Sequence, residues 1–272
     1  MSRRFDLDGR VAVVTGAAGG IGQAIARSMA KRGCNLALAD LNEDGLEQTA
    51  RLIGNSVRVT RHKLDVADGA AVAAFPAIVE AAHGHVDVVV NNAGVALGGR
   101  FDQLTEDEFD WVMGINFQGV VRMSRAFLPL LKERDQAQLV NLSSLFGIIA
   151  PPGQTAYAAA KFAVRGFSEA LRNELLAGKS SVGVTVVHPG GVRTGIAQNA
   201  RVAGAVTEAE RAVAQAGFAK ALKMPVEEAG EIIVRGIEQR RPRVLVGNDA
   251  RMASIVERIM PVGYWRLLER MV

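Results

Sequence analysis

V-A-V-V-T-G-A-A-G-G-I-G, from Val11 to Gly22, is a short apolar run closed by a glycine-rich turn. The run reads as a strand apolar on both faces, and the residues after the turn repeat with the period of a helix. Gly16 allows the tight turn, while Gly20 and Gly22 let another backbone approach and let the helix pack on the sheet. The spacing is Gly-x-x-x-Gly-x-Gly. Taken alone it fits any tight strand-to-helix turn.

The pattern recurs outward from there. Strand-like runs are expected at Val11–Thr15, Asn35–Asp40, Val57–Leu64, Val86–Asn91, Gln138–Ser143, Val182–His188 and Arg243–Gly247. Helical periodicity fills the intervals. In Glu227–Gln239, for instance, Ala229, Ile232, Ile233, Gly236 and Ile237 share one face. Apolar strands separated by helices imply βαβ units with right-handed crossovers. The expected fold is α/β: a Rossmann-type doubly wound, seven-stranded parallel sheet with helices on both faces. No linker divides it, so residues 1–272 are expected to form a single domain.

Composition narrows the partners. Of 272 residues, 49% are hydrophobic, enough for one large core. No segment reaches the ~18 apolar residues of a membrane span, and the N-terminal V-A-V-V is too short for a signal-peptide core. Cys34 is the only cysteine, so no intrachain disulfide can form and a cytoplasmic protein is expected. The net charge of +4 reads as surface arginine. The densest run, Arg240-Arg241-Pro242-Arg243, has no interleaved aromatics and reads as a solvated turn, not a nucleic-acid patch. The four histidines show no metal-ligand spacing, and no metal is expected.

Asp40 ends the second strand-like run, about twenty residues after the glycine turn, where a carboxylate can accept from both ribose hydroxyls. It would repel a 2′-phosphate. Neither Leu41 nor Gly19 offers the cation that such a phosphate needs. NAD is therefore expected over NADP. The alternative for Asp40 is an N-cap of the helix starting near Asn42.

With these residues in view, the sequence over about 8–247 resembles the short-chain dehydrogenase/reductase family. The resemblance rests on T-G-A-A-G-G-I-G (15–22), L-D-V (64–66), N-N-A-G (91–94), Asn116, N-L-S-S (141–144), Y-A-A-A-K (157–161) and P-G-G-V-R-T (189–194), in order and at family spacing. It implies that Gly16, Ala18, Gly19, Gly20, Ile21 and Gly22 hold the pyrophosphate, with Asp40 and Leu41 at the ribose. It implies Asp65 and Val66 at the adenine, and Asn92, Ala93 and Gly94 beside the adenosine ribose. Pro189, Gly190, Val192 and Thr194 fall at the nicotinamide, with Tyr157 and Lys161 also touching the cofactor. The catalytic set it implies is Asn116, Ser144, Tyr157 and Lys161. Ser144 is preferred to Ser143 because it stands thirteen positions before Tyr157. A homodimer or homotetramer is implied as well.

The residue types suit the chemistry. Oxidising an alcohol removes a proton from oxygen as hydride leaves carbon. A phenol titrating near 10 is a poor base at neutrality. Tyr157 and Lys161, at i and i+4, share a helix face, so the ammonium is expected to lower the phenol. Ser144 can donate to the substrate oxygen. The family places Asn116 to hold a water that relays protons toward the lysine. Each residue also has a plain structural reading, and a dinucleotide sensor without chemistry is the alternative from another class. That sensor has no need of all four.

Residues 195–225 carry no family motif and fall where the family has a substrate lid. The neighbours of Ser144 and Gly94 are apolar, which favours an apolar alcohol or carbonyl substrate. The C-terminal extension, 248–272, ends in P-V-G-Y-W-R-L-L-E-R-M-V. Its Tyr264 and Trp265 are expected to cap the pocket, with packing on a partner subunit or peripheral contact with a membrane surface as the alternatives.

Overall fold

The computed structural model describes residues 4–195, 200–212, 217 and 222–269. The strands are β1 (Val11–Thr15), β2 (Asn35–Asp40), β3 (Val59–Lys63), β4 (Val88–Asn91), β5 (Ala137–Leu142), β6 (Val182–Pro189) and β7 (Arg243–Val246). They form one parallel sheet in the order β3-β2-β1-β4-β5-β6-β7. The chain winds outward one way from β1, then crosses back and winds the other way from β4. The order reverses between β1 and β4, where a crevice opens at the strands' carboxyl ends. The expected strands are all present. β1 and β2 match to the residue, and the others differ by one or two residues at their ends.

Strand side chains alternate between two cores, as the pleat requires. Ala12, Val14, Leu36, Leu38, Val88 and Val90 face α1 (Gly20–Ala30) and α7 (Val226–Glu238), where Ile25, Met29, Ile233 and Ile237 meet them. Val13, Ala37, Val89 and Leu139 face α3 (Gly69–His83) and α5 (Gly119–Lys132) through Val72, Phe75, Met123 and Phe127. Further helices among the described residues are α2 (Glu43–Ile53), α4 (Glu106–Met113), α6 (Thr155–Ala177), α8 (Asn248–Ile259) and α9 (Tyr264–Leu268). A π-helical segment, Gly114–Gln118, joins α4 to α5 without a break.

Two features depart from expectation. The basic run is not a freely solvated turn. Arg240 donates to the Ser181 carbonyl at 2.8 Å, and Arg243 enters β7 half-buried. A two-residue parallel pair, Leu97–Gly98 with Arg201–Val202, lies outside the main sheet. It docks the start of the expected lid on the loop after β4. Arg100 pairs with Glu210 at 2.7 Å, and the Arg201 guanidinium lies 3.9 Å over the Trp111 ring. Residues 196–199, 213–216 and 218–221 of the expected lid lie outside the described residues, as does 270–272 of the tail.

Candidate active site

The glycine turn is built by close approach. Gly16 has φ +66°, and a Cβ on Gly22 would fall 2.1 Å from the Gly16 carbonyl oxygen. Thr15 and Asn92 lock the turn to the end of β4. The Asn92 amide donates to the Thr15 and Gly16 carbonyls at 2.9 and 3.1 Å, while Thr15 Oγ1 accepts from the N–H groups of Asn92 and Ala93. Asn92 thus braces the turn from below. Gly19 precedes the first turn of α1 without a capping side chain, so the free N–H groups of Gly20, Ile21 and Gly22 face the crevice with the positive end of the helix. A pyrophosphate fits such a cradle.

At the end of β2, Asp40 Oδ2 accepts from Ala18 N–H and Oδ1 from Asn42 N–H, each at 3.0 Å. The N-cap of α2 is Asn42, which accepts from Gly45 N–H. Asp40 is therefore not that cap. Lys63, opposite Asp40 in the sheet, pairs with Glu43, and Arg61, two residues before it on β3, pairs with Glu47. Leu41 is exposed. Further along the rim, Asp65 accepts from Ala67 N–H at 2.8 Å, and Val66 is buried against Gly119.

The loop after β6 closes the crevice's other end. Pro189 ends the strand, Gly190 N–H bonds to the Val246 carbonyl, and Val192 is buried with its N–H on the Gly190 carbonyl. Arg193 N–H donates to the Met224 carbonyl and Met224 N–H to the Gly191 carbonyl across this loop, and the Thr194 side chain faces Gly20. The structure thus brings the glycine turn, Asp40, N-N-A-G and P-G-G-V-R-T to one crevice.

The four expected catalytic residues gather beside it. Ser143 Oγ donates to the Lys161 carbonyl at 2.8 Å, which commits it to holding α6 against β5. Ser144 caps a short 3₁₀ turn, accepting from Phe146 N–H at 3.1 Å, and stays half-buried. Lys161 is buried; its ammonium donates to the Leu142 carbonyl at 3.1 Å and lies 5.6 Å from the centre of the Tyr157 ring. Gly94 stands between Lys161 Nζ and Asn116 Oδ1. Asn116, on the π-helical segment, spends both ends of its amide on Val95: Oδ1 accepts from its N–H and Nδ2 donates to its carbonyl.

The electrostatics reverse one expectation. The phenol was expected to lie low beside the ammonium. Burial instead pushes Tyr157 up, a hydrogen bond from Ser144 pulling it part of the way back, and burial pulls Lys161 down to about 8. Spacing at i, i+4 gives proximity, and burial is the largest influence on each group.

Two further residues contribute, of which His188 carried no sequence signal for this role and Tyr264 was expected at the pocket. His188, buried in β6, holds the Ser144 carbonyl through Nδ1 at 2.9 Å, and burial lowers it to about 4. Tyr264 Oη accepts from Ala150 N–H at 2.9 Å, and Tyr264, Trp265 and Leu268 pack on Leu145, Phe146, Ile148 and Ile149. The tail expected to cap the pocket thus backs the segment that follows Ser144. Among the described residues no group of three or more His, Cys, Asp or Glu could hold a metal ion, and no helix is long and apolar enough to cross a membrane.

Comparison with known proteins agrees with this geometry. The short chain dehydrogenase family profile matches residues 10–204. SadH of Mycobacterium tuberculosis, which carries the name of an oxidoreductase, is 42% identical over 262 residues, covering 96% of this chain and 94% of its own. The short-chain dehydrogenase/reductase of Burkholderia phymatum, solved with NAD, superposes with a TM-score of 0.86 at 31% identity, covering 94% of this chain and 95% of its own. An alcohol dehydrogenase of Thermococcus sibiricus, solved with 5-hydroxy-NADP, gives 0.72 at 30% identity over 88% of this chain and 94% of its own. The shared sheet, crevice and motif order leave one assignment: the chain belongs to the short-chain dehydrogenase/reductase family of oxidoreductases.

Proposed function

We propose that the protein transfers a hydride between NAD and an apolar secondary alcohol or ketone, with Tyr157 as the proton acceptor and donor. The observation that carries this reading is the gathering of Ser144, Tyr157 and Lys161 at one edge of the dinucleotide crevice. In the oxidative direction Tyr157 Oη takes the substrate hydroxyl proton while the Ser144 hydroxyl donates to the substrate oxygen. Lys161 holds positive charge beside the phenolate, which becomes the phenol on taking that proton. Asn116 fixes Val95 on the site wall, which leaves its main chain, not its amide, to hold a water that passes protons to Lys161. When bound, the dinucleotide supplies the hydride carrier and, in its oxidised form, a positive charge that favours the phenolate.

Gly16, Gly20 and Gly22 would hold the pyrophosphate, Asp40 the ribose hydroxyls, and Val192 and Thr194 the carboxamide. Support for NAD is the Asp40 carboxylate with its neighbouring cations already paired. Support for an apolar substrate is the run of Phe146, Ile148 and Ile149 beside Ser144. The test is a panel of alcohols and ketones followed at the nicotinamide absorbance, with NAD and NADP in parallel. Turnover of apolar members with NAD is expected. No turnover of any member with either nucleotide would overturn the proposal.

A further inference from the structure

The carboxylate of Asp249 lies inside the loop that closes the crevice, although it comes from the first turn of α8. Its Oδ2 accepts from Gly191 N–H at 2.6 Å, and Oδ1 accepts from Ala250 N–H at 2.9 Å. The contact is close on both sides. A Cβ on Gly190 would fall 2.2 Å from Oδ1 and 2.3 Å from Oδ2, so only glycine there admits the carboxylate. The bond is charge-assisted, partly shielded from water, and near the positive end of α8, three conditions that make it strong. Backbone bonds tie the rest of this loop. Gly190 N–H reaches Val246, and Gly191 offers its carbonyl to Lys223 and Met224. Asp249 alone takes the Gly191 N–H.

We propose that Asp249 is the positioning residue for the nicotinamide end of the site. It sets the backbone path from Gly190 to Thr194 on which the carboxamide contacts of Val192 and Thr194 depend. This rests on the dinucleotide reading above and goes beyond it, since Asp249 lies past residue 204, where the family profile ends. Asp249 touches neither substrate nor cofactor; it acts through Gly191.

A role at one half of the dinucleotide has a distinctive signature. NAD carries the nicotinamide, whereas ADP-ribose has the same adenosine, pyrophosphate and second ribose without that ring. Binding of both is measured by calorimetry in the wild type, Asp249→Ala and Asp249→Asn, with NADP and its 2′-phosphorylated fragment run alongside. In Asp249→Ala the affinity for NAD is expected to fall about tenfold or more, as loss of a charged hydrogen bond implies. ADP-ribose affinity is expected to stay within about twofold, a difference small on the scale of one hydrogen bond. Asp249→Asn keeps an acceptor oxygen of the same shape, and is expected to fold with the loop intact and to recover most of the NAD affinity. Parallel loss of NAD and ADP-ribose in both variants would mean mere support of the fold and overturn the proposal. Unchanged NAD affinity in Asp249→Ala would overturn it too. A wild type that binds no dinucleotide at all would sink the parent reading, an outcome distinct from either.

Discussion

Lys161 Nζ lies 5.6 Å from the centre of the Tyr157 ring, one helical turn further along α6, and donates to the Leu142 carbonyl. The pair is poised against its own chemistry: burial holds the phenol above its ordinary value and the ammonium below. A positive ring bound beside the pair would favour the phenolate and oppose the buried ammonium.

The first consequence concerns Tyr157. Its ring packs edge-on to Phe146, with centroids 6.1 Å apart, and phenylalanine preserves that contact. Tyr157→Phe is expected to unfold at nearly the wild-type temperature and to bind NAD normally. Its turnover should fall about 10²–10⁴-fold, the usual worth of a positioned acid–base group. A variant keeping more than about a tenth of the wild-type rate would assign the proton transfer elsewhere.

Lys161 allows a test by stability alone. Its fall from 10.5 to about 8 in a fully buried setting corresponds to roughly 3 kcal/mol. The folded-state value is depressed, so below pH 8 the folded protein bears the cost of a buried ammonium. Between about 8 and 10.5 the unfolded chain binds the extra proton, and stability rises with pH. Lys161→Met lacks this dependence and leaves the Leu142 carbonyl bare, which costs about 1 kcal/mol. It should therefore be more stable than wild type at pH 7 by about 1–2 kcal/mol while losing turnover. Its advantage should shrink as pH climbs to 10. A variant less stable at pH 7, with a pH-independent gap, would contradict the buried charge.

Cofactor choice is the third test. NAD should bind about tenfold or more tightly than NADP, since a 2′-phosphate would meet the Asp40 carboxylate with the nearby cations already paired. Replacing Asp40 with Ala and Leu41 with Arg should narrow or invert the preference. Because Asp40 also accepts from Ala18 N–H, the double variant should lose some NAD affinity outright. Equal affinities in the unaltered protein would remove the basis of the claim.

What the sequence alone makes legible divides along physical lines. β1 and β2 were legible to the residue because each apolar run stops at a residue with a distinct job, Thr15 before the glycine turn and Asp40 at the carboxyl end of β2. The choice of Ser144 over Ser143 rested on spacing, and the structure supplies a reason, since the Ser143 hydroxyl is committed to the Lys161 carbonyl. The Leu97–Gly98 pairing was invisible because two residues carry no period. Asp249 was invisible because its partner is 58 residues away and the contact depends on two loops meeting. The direction of the Tyr157 shift was misjudged for a similar reason: spacing reports neighbours on a helix, but burial is decided by what the rest of the chain lays over them.

The last test concerns the tail. Ile148 and Ile149 are 1% and 5% exposed beneath Leu268, Tyr264 and Trp265, and they lie between Ser144 and Tyr157 in sequence. Deleting residues 261–272 bares both, at a cost of order 1.5–3 kcal/mol for each side chain fully exposed. The segment holding Ser144 should loosen, so kcat should fall for short and long ketones alike, with a lower unfolding temperature. Tyr264→Phe removes only the acceptor for Ala150 N–H and should cost about 1 kcal/mol, with a milder fall in kcat. A tail that instead covered the substrate would act on KM and by chain length, since each methylene left unburied is worth about 0.8 kcal/mol. Unchanged kcat with a KM penalty that grows with chain length would therefore reject the supporting role and place the tail over the pocket.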